Sequence, residues 1–244
     1  MQNAQADNTT GRFRFEPLPG SALFTGLDAE KLEVLKAAHG PQRRAEREGQ
    51  ILRAADQAAP LVTLSSGWAF RYVLLPDGRR QILRIALPGD TIGLDTLIAG
   101  EPTYPVRAAG VAVYSEVTST QAVGLLRDFE WFRDRALKAL ARERNAAELA
   151  LIRMGQCTAE EAVASVLLDF HCRLSRRQLA FPNRFRVELN HEQLADFIGV
   201  SAVHLSRTLA RLQSRGLVRV SDRDITLVEV PDLERLAVLP RYCD

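Results

Sequence analysis

Between Gln50 and Thr118 the chain runs as short apolar stretches separated by turn residues, the pattern of an antiparallel β-sandwich or barrel. Leu61 to Leu64 and Trp68 to Leu75 read as strands. Pro76-Asp77-Gly78 turns the chain, Gln81 to Leu87 returns it, and Pro88-Gly89-Asp90 turns it again. Val106 to Val117 supplies at least one further strand, and a short helix is predicted near Asp28 to Ala38. From about Ala122 to Met154 the period becomes helical, with no proline and one early Gly124. Leu137, Leu140, Ala147, Leu151 and Met154 form a seam at 3–4 spacing, broken by Arg144, as in a helix that packs on a partner helix. Roughly 30 residues would run about 45 Å, longer than one small core covers.

Residues 190–215, NHEQLADFIGVSAVHLSRTLARLQSR, read as two short helices joined by a tight turn. Asn190 suits an N-cap, and Gln193 completes a capping box with it. Leu194, Phe197 and Ile198 share a face; Gly199 ends the helix and Ser201 caps the next. In the second helix Leu205, Leu209 and Leu212 take one side, while Ala202, Val203, Ser206, Arg207 and Arg211 take the other. A short helix with a polar, basic outer face fits a DNA major groove about 12 Å wide. Gly216 to Val220, a Ser221–Asp224 turn and Ile225 to Val230 predict a hairpin, hence a winged helix–turn–helix in which Arg219 and Arg223 are placed to meet phosphates. Thr158 to Arg177 reads as a helix before it and Phe185 to Leu189 as one more strand.

Composition narrows this picture. A net charge of +2 excludes a polybasic grip on nucleic acid, so affinity must come from arginines placed locally. No apolar run approaches the roughly 20 residues of a membrane span, and the polar N-terminus carries no signal-like core, so a cytoplasmic protein is expected. Cys157, Cys172 and Cys243 fit no metal spacing and read as reduced thiols. His191-Glu192 begins like a zinc-protease helix, but Ala195 stands where the second histidine is needed. No nucleophile elbow or phosphate loop stands out either, so no catalytic residue and no metal site is expected.

In their order, Gly49-Gln50-Ile51, Ser66-Gly67, Pro76-Asp77-Gly78-Arg79, Pro88-Gly89-Asp90 with Gly93, and LADFIGVSAVHLSRTLARL within 190–215 resemble the cAMP receptor protein and fumarate–nitrate regulator (Crp–Fnr) family of bacterial transcription regulators. The resemblance implies an α+β chain: a tail at 1–20, a cyclic-nucleotide-binding-like β-jelly-roll sensor at 21–121, a dimerisation helix at 122–155, and a winged helix–turn–helix at 156–244. It implies a homodimer on a near-palindromic duplex site, in contact with RNA polymerase. Residue by residue, Arg207 matches an arginine that pairs with guanine, Ser201 a phosphate contact, and Ser206 a serine of the anaerobic-regulator branch. Val203 stands where both well-known branches carry a glutamate that reads cytosine, so the half-site is expected to differ, with His204 helping to read it. Ser201, Ala202, Val203, His204, Ser206, Arg207 and Arg211 are therefore the expected DNA contacts. The alternative is a ligand-binding or interaction protein of this fold without DNA binding.

In the sensor half, the segment that caps a ribose in cAMP binders reads Gly93-Leu94-Asp95 here, and their Arg-Ser phosphate grip falls at Pro102-Thr103. Proline offers neither charge nor N–H, so cAMP is not the expected effector. The adenine positions fall near Ala147 and Glu148. Leu94, Asp95 and Arg107 are the candidate effector-pocket residues. Residues 1–50 hold no cysteine, which excludes an N-terminal iron–sulfur cluster of the family's type. The only histidine before residue 171 is His39, better read as a surface or cap residue than as a haem ligand. The effector stays open.

Overall fold

A computed structural model describes residues 17–54, 58–100 and 104–239; residues 1–16 of the expected 1–20 tail, together with Pro102, Thr103 and Cys243, lie outside the described residues. Helix α1 (Ala29–Ala38) starts on Asp28, whose carboxylate accepts the Lys31 N–H at 2.9 Å. Eight strands follow: β1 (Arg43–Ala45), β2 (Gln50–Leu52), β3 (Leu61–Ser66), β4 (Ala69–Leu74), β5 (Arg80–Ala86), β6 (Thr91–Ile92), β7 (Val106–Ala108) and β8 (Ala112–Val117), with the short helix α2 (Leu94–Ala99) between β6 and β7. They pair antiparallel in two sheets of order β1-β8-β3-β6 and β2-β7-β4-β5. Val62, Leu64, Ala69, Ile92, Val106 and Tyr114 are among the side chains that fill the space between the sheets. The expected jelly-roll is present, with β1 as a strand that the apolar pattern did not signal, because Arg43 and Arg44 are exposed on it.

The expected single helix from Ala122 is two. Thr118 caps α3 (Ser119–Asp128) in a reciprocal box with Gln121, and the chain breaks at Phe129 before α4 (Glu130–Gln156). Phe129 adopts φ −122°, ψ 103°. The kink lets Ala122 and Leu125 of α3 and Phe132, Ala136 and Ala139 of α4 bury in one cluster with Leu35 and Leu94, with Phe129 and Trp131 packed on its edge. A straight helix would turn one of those faces away. The remaining 27 residues of α4 span about 40 Å.

After α5 (Ala159–Arg176) come β9 (Arg184–Arg186), α6 (His191–Ile198), α7 (Ala202–Ser214), β10 (Val218–Ser221), β11 (Asp224–Leu227) and α8 (Val230–Leu236). The second wing strand, expected to reach Val230, stops at Leu227, because Pro231 cannot donate to a ladder and suits the first turn of α8. The three-stranded sheet β10-β11-β9 completes the winged helix.

Beside the core between the sheets, one further core runs across both halves. Trp68, Phe70, Tyr72, Ile82 and Ile85 of the sandwich join Phe170, Leu194, Leu205 and Leu212 of the C-terminal half in a single cluster. Trp68 meets Phe170 edge-on at 4.9 Å between ring centroids.

Candidate nucleic-acid interface and interior cavity

Helix α6 is fixed at both ends by local chemistry. Asn190 Oδ1 accepts the Gln193 N–H at 2.7 Å and Gln193 Oε1 accepts the Asn190 N–H at 2.9 Å. Gly199 closes the helix at φ +87°, a conformation that L side chains adopt only with strain, and Met154 of α4 lies 3.2 Å from where a Cβ would stand. Ser201 Oγ then accepts the His204 N–H at 3.2 Å and starts α7. Leu205, Thr208, Leu209 and Leu212 are buried and hold α7 against the core.

The opposite face of α7 is open. Ser201, Val203, His204, Ser206, Arg207 and Arg211 are exposed and Ala202 is half-buried, so the seven expected residues lie along one rigid surface. Val203 is 62% exposed and puts methyl surface on this open face. Arg207 makes no ion pair among the described residues, whereas Arg211 lies 3.4 Å from Glu160 of α5, beside the Arg215–Glu160 pair at 2.6 Å. Ser206 donates its hydroxyl to the Ala202 carbonyl at 3.0 Å. On the wing Arg219 is exposed, while Arg223 is half-buried with Glu188 at 3.7 Å.

Polar contacts lock this unit to the sandwich. Gln193, fully buried, donates its Nε2 to Glu48 at 2.8 Å. Arg80 of β5 pairs with Asp196 of α6 at 2.8 Å, and Gln81 donates to the Asp196 carbonyl at 2.6 Å. On the other side Asp90, in the Pro88-Gly89-Asp90 turn, receives Arg173 and Arg177 of α5, each at 2.5 Å. Burial alone would raise the Asp90 pKa, but the Arg177 and Arg173 charges outweigh it and hold the carboxyl far below the usual carboxylate range. None of these pairings between the two halves was legible in the sequence.

The three candidate effector-pocket residues do not converge. Leu94, 1% exposed, lines a cavity of about 210 Å³ that also takes in Arg71, Leu83 and Arg84 from the sandwich and Ala147 and Arg153 from α4. Asp95 is engaged by Arg71. Arg107 is not among the lining residues; it stacks over Tyr72 at 5.4 Å and lies 3.6 Å from Glu48. Glu148 is exposed beside Arg144 at 3.4 Å, whereas Ala147 reaches the cavity wall. Arg71, Arg84 and Arg153, which the sequence did not single out, supply charge to that wall.

His39 is the C-cap residue of α1 and is turned inward: its Nδ1 lies 2.7 Å from the Leu35 carbonyl and its Nε2 3.2 Å from the Thr63 hydroxyl. A carbonyl only accepts, so Nδ1 carries the proton and Thr63 donates to Nε2. Burial pulls the His39 pKa down to about 4. Cys157 is a free thiol, but Cys172 is disulfide-bonded, which corrects the expectation of three reduced thiols; separation along the chain does not limit proximity in space. Among the described residues no cluster of metal-ligating side chains forms, and no helix is long and apolar enough to cross a membrane.

Residues 161–239 match the Crp-like helix-turn-helix domain family. The chain is 26% identical over 218 residues to the nitrogen fixation regulation protein FixK of Bradyrhizobium diazoefficiens, covering 89% of this chain and 90% of that one. It is 24% identical over 192 residues to the fumarate and nitrate reduction regulatory protein of Shigella dysenteriae, covering 78% and 76%. Among solved structures, FixK2 from Bradyrhizobium japonicum superposes with a TM-score of 0.75 at 24% identity, over 83% of this chain and 98% of that one. A CRP-family transcriptional regulator from Thermus thermophilus superposes with a TM-score of 0.66 at 25% identity, over 83% and 100%.

Proposed function

Because this chain belongs to the Crp–Fnr family of bacterial transcription regulators, we propose that it works as a homodimer that binds a near-palindromic duplex site through α7. The carrying observation is the exposed face of α7, where Arg207 projects from a helix anchored by four buried side chains and is engaged by no carboxylate among the described residues. A guanidinium so placed suits the O6 and N7 atoms of guanine. Val203 cannot accept a hydrogen bond from cytosine; it packs on a thymine methyl, which gives this regulator a half-site of its own. Arg219 adds a phosphate contact from the wing, and Ser201 one from the start of α7.

Dimerisation runs along α4. Leu137, Leu151, Ile152 and Met154 are exposed there in one protomer, on a helix long enough to set two α7 helices about one DNA turn, roughly 34 Å, apart. The protein acts beside DNA in the cytoplasm and touches RNA polymerase, as its family does. The sandwich is not expected to take cAMP: Asp95, in the segment where a ribose would be capped, is engaged by Arg71 of β4.

Selection from a random duplex pool by the purified protein tests this reading. Enrichment of a two-fold symmetric site is expected. A lone half-site would remove the dimer, and no enrichment by the folded protein would remove sequence-specific binding in the absence of a ligand.

A further inference from the structure

Arg207, Arg211 and Arg215 follow one another at four-residue steps, so they form a stripe of charge along α7. Arg207 pairs with no carboxylate among the described residues, but the next two are tied to a single one. Glu160 Oε1 lies 3.4 Å from Arg211 Nε, and Glu160 Oε2 accepts from an Arg215 Nη at 2.6 Å. Glu160 is the second residue of α5, where its neighbour Glu161 is spent on the cap, accepting the Thr158 N–H at 2.7 Å. Glu160 is left to reach across to α7. Both helix ends favour the arrangement, since a carboxylate suits the first turn of α5 and guanidiniums the last turn of α7. The Glu160 side chain is 22% exposed and those of Arg211 and Arg215 are 57% and 52%. Pairs so exposed add little to stability. Their consequence lies in where the two guanidiniums are held. The wing repeats the pattern: Arg184 pairs with Asp224 at 2.7 Å and Arg223 lies 3.7 Å from Glu188.

We propose that Glu160 is a specificity-determining positioning residue: it withholds Arg211 and Arg215 from DNA phosphates and leaves recognition to Arg207. This rests on the proposed function. In helix–turn–helix docking the N-terminal residues of the second helix reach the base edges, and Arg207 lies nearer that end of α7 than Arg211 or Arg215. Phosphate contacts add affinity but carry no sequence information. A guanidinium freed from Glu160 swings on its long side chain and finds a phosphate in any duplex. On the cognate site the groove fixes α7, so fewer new positions come within reach. Releasing the two arginines therefore raises non-specific binding more than specific binding. The shared carboxylate works against wrong sequences rather than for the right one.

The test is titration of the full chain with the duplex that selection yields and with a shuffled duplex, from about 50 to about 200 mM potassium chloride. Glu160→Gln is expected to tighten binding to the shuffled duplex about tenfold at the low-salt end. The slope of log affinity against log salt should steepen by about one to two, roughly one for each guanidinium that gains a phosphate. The ratio of specific to non-specific affinity should fall at least about threefold. In a chain that also carries Arg211→Gln and Arg215→Gln, the same substitution should change non-specific binding by no more than about twofold. A gain of full size without the arginines would overturn the proposal, because the loss of one negative charge near DNA would then explain it. Unchanged or weaker non-specific binding by Glu160→Gln, from a wild type that discriminates between duplexes, would overturn the role of Glu160 alone. A wild type that prefers neither duplex would remove sequence-specific recognition itself, and the role of Glu160 with it.

Discussion

The Asp90 carboxylate lies 2.5 Å from the Arg177 guanidinium, with both side chains buried, and the pair joins a turn of the sandwich to the end of α5 across 87 residues of chain. Arg177 also donates to the Pro88 carbonyl at 2.6 Å, and Asp90 accepts the Leu87 N–H at 2.8 Å, so turn and helix complete one another's hydrogen bonds. Asp90→Ala therefore strands two arginines and is expected to cost about 3–5 kcal/mol. Adding Arg177→Met should recover part of that loss, because the uncompensated charge goes with it. Urea unfolding of the single and double variants checks this; strictly additive losses would show that the two groups do not interact.

His39 gives the fold a pH dependence of known sign. An unfolded histidine titrates near 6.5, and His39 in the fold at about 4. Between those values the unfolded chain binds the extra proton, so the His39 contribution is complete above about pH 6.5 and is lost as pH falls toward 4. Between pH 7 and 4.5 the native protein is expected to lose about 2 kcal/mol more than His39→Gln. Superimposable pH profiles of unfolding free energy would contradict a buried neutral ring.

What was legible in the sequence follows the range of the forces involved. Asn190, Gly199 and Ser201 act within four residues of themselves, and the helix–turn–helix they delimit appears with its expected caps. The Thr118–Gln121 box that starts α3 is equally local. Phe129 breaks the long helix because two apolar faces must meet one core, and the helical period runs on through that position without a signal. Arg107 looked close to Leu94 in sequence, but as a strand residue opposite Phe70 it turns to Tyr72 and Glu48, away from the cavity. Arg153 reads as one more charge on a helix. Only packing shows it to be buried.

Leu151 tests the helix seam. It is 67% exposed in one protomer, so Leu151→Glu should change protomer stability by no more than about 0.5 kcal/mol. In a two-fold interface the substitution occurs twice, and losing about 1.5–3 kcal/mol of burial at each copy should weaken dimerisation at least about a hundredfold. Sedimentation velocity over a concentration series reads this directly. An unchanged dimer would move the interface off this stretch of α4.

Val203 and Arg207 lie four residues apart on the open face of α7, one turn from each other, and the proposed function predicts separable demands on DNA from the two. Arg207→Ala removes a donor pair and is expected to cost about 1–3 kcal/mol at one base step, with discrimination flattened there and the dimer untouched. Val203→Glu does the reverse. It introduces an acceptor where the valine offers only methyl surface, so selection with this variant should move one position of the half-site toward cytosine, whose amino group the carboxylate accepts. The two changes should affect different positions of the same half-site. If Arg207→Ala leaves the selected sequence unaltered, α7 does not read bases. If Val203→Glu weakens all sequences alike, residue 203 faces the phosphate backbone, where an added negative charge is repelled without regard to sequence.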